Sequence, residues 1–387
     1  MKILSKKRRH NYITEYAINQ EKSFDKSRQK GINIMYLTLN ETPIRTAKNY
    51  AINNIKLENI EIPETIQEFN GLKFLGDIDE FEILEMNKFT EFKYGNGKVL
   101  ENIINEQSNK TLAINAINNE NKELHLNYEF SKENINLIEN IEINLKEKSN
   151  STIILKYKST NETYSFHNSK IKVIANKDAK ANIIILNMLN NKSNNFIAIE
   201  NAIEENADVK YTIVDFGGKN SVTNYYSNLK EDNAKNTLNA VYLGNENQII
   251  DLNYIMECYG KNTNARIDVK GAIKDNCKKH FKGTIDFKKG AKKSIGDEKE
   301  YCTILSDTAK SISLPILLCT EEDVEGSHST ACGKIDKKNL FYLMTRGLSK
   351  QEAEKLIIRA GFNEIVENIK NEEIRKEILK KIDAKLT

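Results

Sequence analysis

The stretches NKDAKANIII (176–185) and EENADVKYTI (204–213) decide the fold. Each opens on a polar turn carrying Asp or Asn, passes through one small residue, Ala179 or Ala207, and runs into alternating apolar positions. The same pattern recurs in KEDNAKNTLN (230–239), IKDNCKKHFK (273–282), FKKGAKKSIG (287–296) and LSDTAKSISL (305–314), with Ala234, Cys277, Ala291 and Ala309 in the small slot. Successive small residues lie 28, 27, 43, 14 and 18 apart. These spacings are close to multiples of about 14, the self-similarity of a stacked repeat. Between the turns, Ile153, Leu155 and Tyr157, then Ile267, Val269, Gly271 and Ile273, then Phe281, Gly283, Ile285 and Phe287 alternate with polar residues as half-buried strands do. No long helical pattern interrupts them, which excludes βαβ units there. A strand-turn half-coil buries its apolar side only by stacking on its neighbours, so a β-solenoid is expected, with Ala179, Ala207, Cys277 and Ala291 pointing inward. A β-sandwich with similar turns is the alternative.

Outward from this core the texture changes. Near Asp336 the period becomes helical: Leu340, Phe341, Leu343 and Met344 lie between a candidate N-cap, Asp336, and a stop at Gly347. Ser349 to Glu352 has the form of a capping box opening a helix expected to stop at Gly361, and Ile374, Ile378, Leu379 and Ile382 mark a last helix. On the other side, Tyr12, Ile13, Tyr16 and Ala17 suggest a short helix from Asn11, and residues 75–130 read only as mixed. The expected division is an N-terminal helical and loop region over 1–75, a β-helix core over 76–322 and a small helical domain over 323–387.

The chain has 387 residues, enough for two or three structural units. Its 58 Lys+Arg against 55 Asp+Glu leave a formal charge of only +3, which argues against a nucleic-acid binder with a large basic surface. No apolar run approaches the roughly 20 residues that span a bilayer. The basic cluster Lys6 to Arg9 is followed by polar residues where a secretory signal needs apolar ones, so a cytoplasmic location is expected. The five cysteines, at 258, 277, 302, 319 and 332, form no C-x-x-C pair, and a disulfide framework is not expected.

Phosphate-binding loops, G-x-G-x-x-G, H-E-x-x-H and G-x-S-x-G are all missing, so a self-contained enzyme is not expected. Cys277 and His280, with Cys258 upstream, loosely resemble metal ligands, but Cys277 fills the slot of Ala in other repeats and reads as core. Cys302 and Cys319 flank apolar strands and read as core too, while His125 and His167 stand alone. His328 differs. In EEDVEGSHSTACGKID (321–336) it follows acidic residues and sits among Gly326, Ser327, Ser329, Thr330 and Ala331, small flanks that let another chain or a metal approach.

Residues 267–369 resemble the C-terminal core of the SufB/SufD family of SUF iron–sulfur cluster assembly proteins. The resemblance rests on Asp323-Val324 with His328, on Gly333 to Asp336, and on the run Leu340 to Leu348, LFYLMTRGL. Thr42-Pro43-Ile44-Arg45 adds weaker support. Within the family the chain looks more like SufD than SufB: Ser329 follows His328 where SufB-like sequences tend to carry Glu, and their C-D-S strand is absent. Many SufD sequences read C-S-H where this chain reads Gly326-Ser327-His328, so a thiolate beside the histidine is not carried over. The resemblance implies a right-handed parallel β-helix with helical ends. It implies a scaffold that pairs with a SufB-like subunit through the end of the β-helix, with His328 offered to a transient iron–sulfur cluster at that interface; an imidazole can replace a thiolate on iron. A SufC-like ATPase would bind the C-terminal helices through Phe341, Tyr342, Met344 and Arg346. FAD is allowed as a cofactor of such complexes, although no stretch reads as a flavin site, and a homodimer is left open. The competing readings are a metal-free structural β-solenoid and the SufB-like role.

Overall fold

In a computed structural model, residues 60–63, 66–86 and 92–387 are described. The helix expected from Asn11 and the turn at Thr42 to Arg45 lie outside them. The described chain is mainly β, a solenoid of two nine-stranded sheets to which successive strands from the third onward are dealt alternately. Pairing is parallel from coil to coil, and each coil advances by 26 to 32 residues: Lys180 pairs with Asp208, Asp208 with Lys235, Asn194 with Asn220, Lys278 with Lys310. That advance is twice the half-coil seen in the sequence.

The turns explain the repeat. In NKDA, EENA and EDNA the third residue (Asp178, Asn206, Asn233) has φ between 57° and 61°, a left-handed conformation that Asp and Asn tolerate better than most residues. The small residue then closes the turn, Ala179 N–H donating to the Asn176 carbonyl at 3.0 Å. Stacked turns are tied side chain to side chain, Asn206 Nδ2 to Asp178 Oδ1 and Asn233 Nδ2 to Asn206 Oδ1, both 2.9 Å. Ala179, Ala207, Ala234, Cys277 and Ala291 are fully buried in the interior, as the register required. A side chain larger than these would displace the stacked apolar rows beside it.

The two ends differ. At the N-terminal end, Leu72–Gly76 pairs antiparallel with Lys122–Phe130, and Phe81–Glu85 antiparallel with Lys110–Ala116, so one short reversed strand ends each sheet. At the other end, Lys310–Cys319 closes one sheet and Val324–Lys334 the other, each with a partner on one side only. The coil therefore continues past residue 322, and the helical segment begins at Lys337 rather than 323 because Val324–Lys334 keeps a full parallel register with Ser294–Ile304.

Helix α1 (Lys98–Gln107) sets Leu100 and Ile104 on Phe166, Phe196 and Val222 of one outer face. Helices α2 (Lys337–Thr345), α3 (Lys350–Val366) and α4 (Glu372–Lys385) follow the last coil. Asp336 caps α2 and Gly347, at φ 97°, ends its turn; Ser349 and Glu352 form the capping box of α3. Gly361 does not stop α3. Phe362, Ile365 and Val366 continue the helix and bury against Met188, Phe216 and Leu243, a gain that outweighs the ~1 kcal/mol a helical glycine costs. Thus α3 and α4 are not a separate domain but the cover of the other sheet's apolar outer face. Among the described residues no helix is long and apolar enough to cross a membrane.

Candidate metal centre

Val324–Lys334 is the last strand, and its residues from Glu325 onward are exposed. Alternation assigns its faces. Ser327 Oγ donates to Asp297 Oδ1 at 2.6 Å on the outer face. A Cβ at Gly326 would meet Leu317 and Phe287, so position 326 faces the interior of the coil, and 328, 330 and 332 share that side. His328 therefore stands over the mouth of the solenoid. An open groove of about 520 Å³, bordered by Phe287, Leu317, Val324 and Gly326, adjoins it.

The interior rows show what lies beneath. The row under His328 reads Ile183, Tyr211, Leu238, Ile267 and then Glu298, which is the register partner of His328. The neighbouring row runs Ala240, Val269, Glu300, Thr330, and the next Tyr242, Gly271, Cys302, Cys332. In the first two of these rows apolar residues give way to carboxylates in the last covered coil.

The two carboxylates have different surroundings. Glu300 accepts from Lys279 Nζ at 2.6 Å, from Tyr242 Oη at 2.8 Å and, through Oε2, from Ser313 Oγ at 2.6 Å; Lys279 and Glu300 are both wholly buried. Glu298 is equally buried, and neither of its oxygens has a hydrogen-bond partner of good geometry. Burial, then the nearby Glu300, push its carboxyl up to about 8, offset in part by the Ile316 backbone amide. Glycine makes room for it. Tyr225 and Tyr254 pack edge-to-face in the facing sheet, the next residue of that row is Gly283, and a Cβ there would lie 2.1 Å from Glu298 Oε1.

The other sequence candidates separate cleanly. Cys258 and Cys277 are core residues whose thiols burial pushes up to about 11 and about 12, while His280 is buried on the other face of its strand, in register with Asp251. Cys302 is core as expected, but Cys319 is exposed: it ends the uncovered edge strand, where no further coil buries it. His167 is buried, bonded to Asn195 at 2.7 Å and to Glu139 at 3.3 Å. Cys332 faces the same way as His328 but four residues on, about 13 Å along the strand, too far to share one ion. Among the described residues no group of three or more His, Cys, Asp or Glu converges on one point.

No residue of α2 is buried. Phe341 is 68% exposed, Tyr342 56% and Met344 42%, and the Arg346 guanidinium lies 5.1 Å from the Tyr342 ring centroid. Phe362, Ile365 and Val366 of α3 and Ile374, Ile378 and Ile382 of α4 are buried by contrast. Sequence reading missed Glu298, Glu300 and Lys279. The signal was present in SIGDEKEYCTI (294–304), where alternation from Ser294 sends both glutamates inward.

Residues 128–361, more than half of the chain, match the family described as SUF system FeS cluster assembly, SufBD core domain. An iron-sulfur cluster assembly protein SufD of Bacillus subtilis is 29% identical over 160 residues, 41% of this chain and 37% of that protein. An Escherichia coli protein of the same name is 25% identical over 244 residues, 63% of this chain and 58% of that protein. An iron-sulfur cluster assembly SufBD family protein of Staphylococcus saprophyticus is 26% identical over 204 residues, 52% and 43% of the respective chains. The chain thus spans between about a third and three-fifths of the curated relatives it matches. A two-sheet solenoid with an uncovered last coil, a lone histidine at its mouth and a match across most of its coils place the chain in the SufB/SufD core family of the SUF iron–sulfur cluster assembly system.

Proposed function

We propose that this chain is a cytoplasmic, non-catalytic scaffold subunit of a SUF-type assembly complex, SufD-like in role. It pairs with a SufB-like subunit through the open end of the solenoid and offers His328 to a cluster built there. The observation that carries the reading is the asymmetry of the ends. One end finishes in two antiparallel strands of five residues, whereas the other finishes in parallel edge strands of ten and eleven residues, the longer carrying the imidazole. Uncovered edges of this length invite pairing with another chain. A single nitrogen ligand needs thiolates or carboxylates from elsewhere to hold iron, so the partner must complete the site.

The second contact is α2. Its exposed Phe341, Tyr342, Met344 and Arg346 suit a SufC-like ATPase, and ATP hydrolysis belongs to that partner. Removing residues 337–387 would not test this, because it would also uncover Ile184, Met188, Val214, Phe216 and Val241 beneath α3 and α4. Point substitutions are required. The test of the whole reading is co-expression with SufB-like and SufC-like chains. His328→Ala should leave the complex intact on gel filtration while iron and sulfide after anaerobic reconstitution fall severalfold. Full cluster content, or a complex that falls apart, would count against the role assigned to His328.

A further inference from the structure

We infer that Glu298 is a second protein ligand at the mouth of the solenoid, so that Glu298 and His328, stacked in adjacent coils, hold a divalent iron-type cation between them. This rests on the reading of His328 just given and adds a residue from the covered coil beneath it. Three observations carry it. First, the two are register partners in parallel strands and face the same side, so their side chains start about 5 Å apart, a spacing from which two donors with bonds of about 2 Å can meet one ion.

Second, Glu298 is fully buried yet has no side-chain partner, only the Ile316 backbone amide nearby, while Glu300, two residues on, is satisfied by Lys279, Tyr242 and Ser313. Buried polar groups without partners are rare because each forfeits its hydration, and a cation is one thing that would satisfy a carboxylate. Third, the facing row gives up its side chain at Gly283, where a Cβ would overlap Glu298 Oε1. The edge-to-face tyrosines of that row stop one coil earlier, leaving the carboxyl free to reach the centre of the coil. Hard oxygen plus imidazole suits a divalent first-row ion entering before sulfide does.

The probe is Co2+, titrated anaerobically into the full-length chain with absorption in the d–d region and calorimetry. Wild type should take up one Co2+ whose binding weakens at least tenfold in both Glu298→Gln and His328→Ala. Glu298→Asp, which keeps the carboxylate, should weaken less than Glu298→Gln. His125→Ala, which disrupts the His125–Glu123 pair near the other end, should leave this site unchanged. Circular dichroism and gel filtration verify that Glu298→Gln folds. Wild-type affinity in Glu298→Gln together with loss in His328→Ala would overturn the inference and leave the reading of His328 standing. Wild-type affinity in His328→Ala, or no uptake by wild type, would overturn it outright.

Discussion

Replacing Glu298 by Gln should make the protein more stable, and increasingly so as pH rises. The carboxyl is lifted from 4.5 to about 8 by burial and by Glu300. A group whose pKa is raised on folding favours the native state below its unfolded pKa and loses that contribution as pH climbs to the folded one. At about 1.4 kcal/mol per unit, the penalty carried by wild type is about 1 kcal/mol at pH 5, about 3 at pH 7, and levels near 5 above pH 8. Gln has the same shape and no charge to desolvate. The stability difference between Glu298→Gln and wild type should therefore grow by about 2 kcal/mol from pH 5 to pH 7 and flatten above pH 8. Urea denaturation of both proteins across this range, in metal-free buffer, measures it. Because coils contact only their neighbours, the effect belongs to the transition that melts the last coils. A difference that stays constant with pH, or shrinks as pH rises, would refute the burial argument.

Lys279→Met leaves Glu300 buried without its cation and should cost about 3–5 kcal/mol, whereas Lys279→Met with Glu300→Gln should recover much of it; thermal melts of the single and double variants decide. Lys385, at the end of α4, donates to Gln248 Oε1 at 2.6 Å and the Phe216 carbonyl at 2.9 Å, and burial drops its pKa to about 7. Its lowered pKa means that stability rises with pH between about 7 and 10.5, a slope that Lys385→Met should remove in denaturation at graded pH. Asn206→Ala puts a Cβ-bearing residue without the turn-bonding amide at φ 57° and should cost about 1 kcal/mol, with Asn206→Gly closer to neutral by urea midpoint. Phe341→Ala with Tyr342→Ala should change the melting midpoint little, since both are exposed, yet abolish co-purification of the ATPase.

Much of the fold was legible because the solenoid repeats its instructions. Asp178, Asn206 and Asn233 mark the left-handed turn position, and Ala179, Ala207 and Ala234 the closure, at a spacing that stacking enforces. The caps at Asp336 and Ser349 were equally local. Gly361 misled because its cost as a helical residue is small beside the burial of Phe362, which stacks 6.3 Å from Phe216, a contact that local sequence does not encode. Cys319 misled for the converse reason: an apolar strand reads as core, but nothing in its own pattern shows that it is the last of its sheet. His328 could be singled out from its small flanks. Its vertical neighbour could not, because the pairing of Glu298 with His328 depends on a 30-residue coil advance that the variable turns after Phe287 and Cys319 set.

The central claim is that the nitrogen of His328 binds iron at an interface this chain only half builds. Pulsed EPR of the reduced cluster in the purified complex tests it most directly, with histidine carrying 14N in one preparation and 15N in another. The account predicts an imidazole nitrogen coupling that changes with the isotope and is lost in His328→Ala while the complex stays assembled. A cluster with no histidine nitrogen coupling, or one whose coupling survives in His328→Ala, would contradict it.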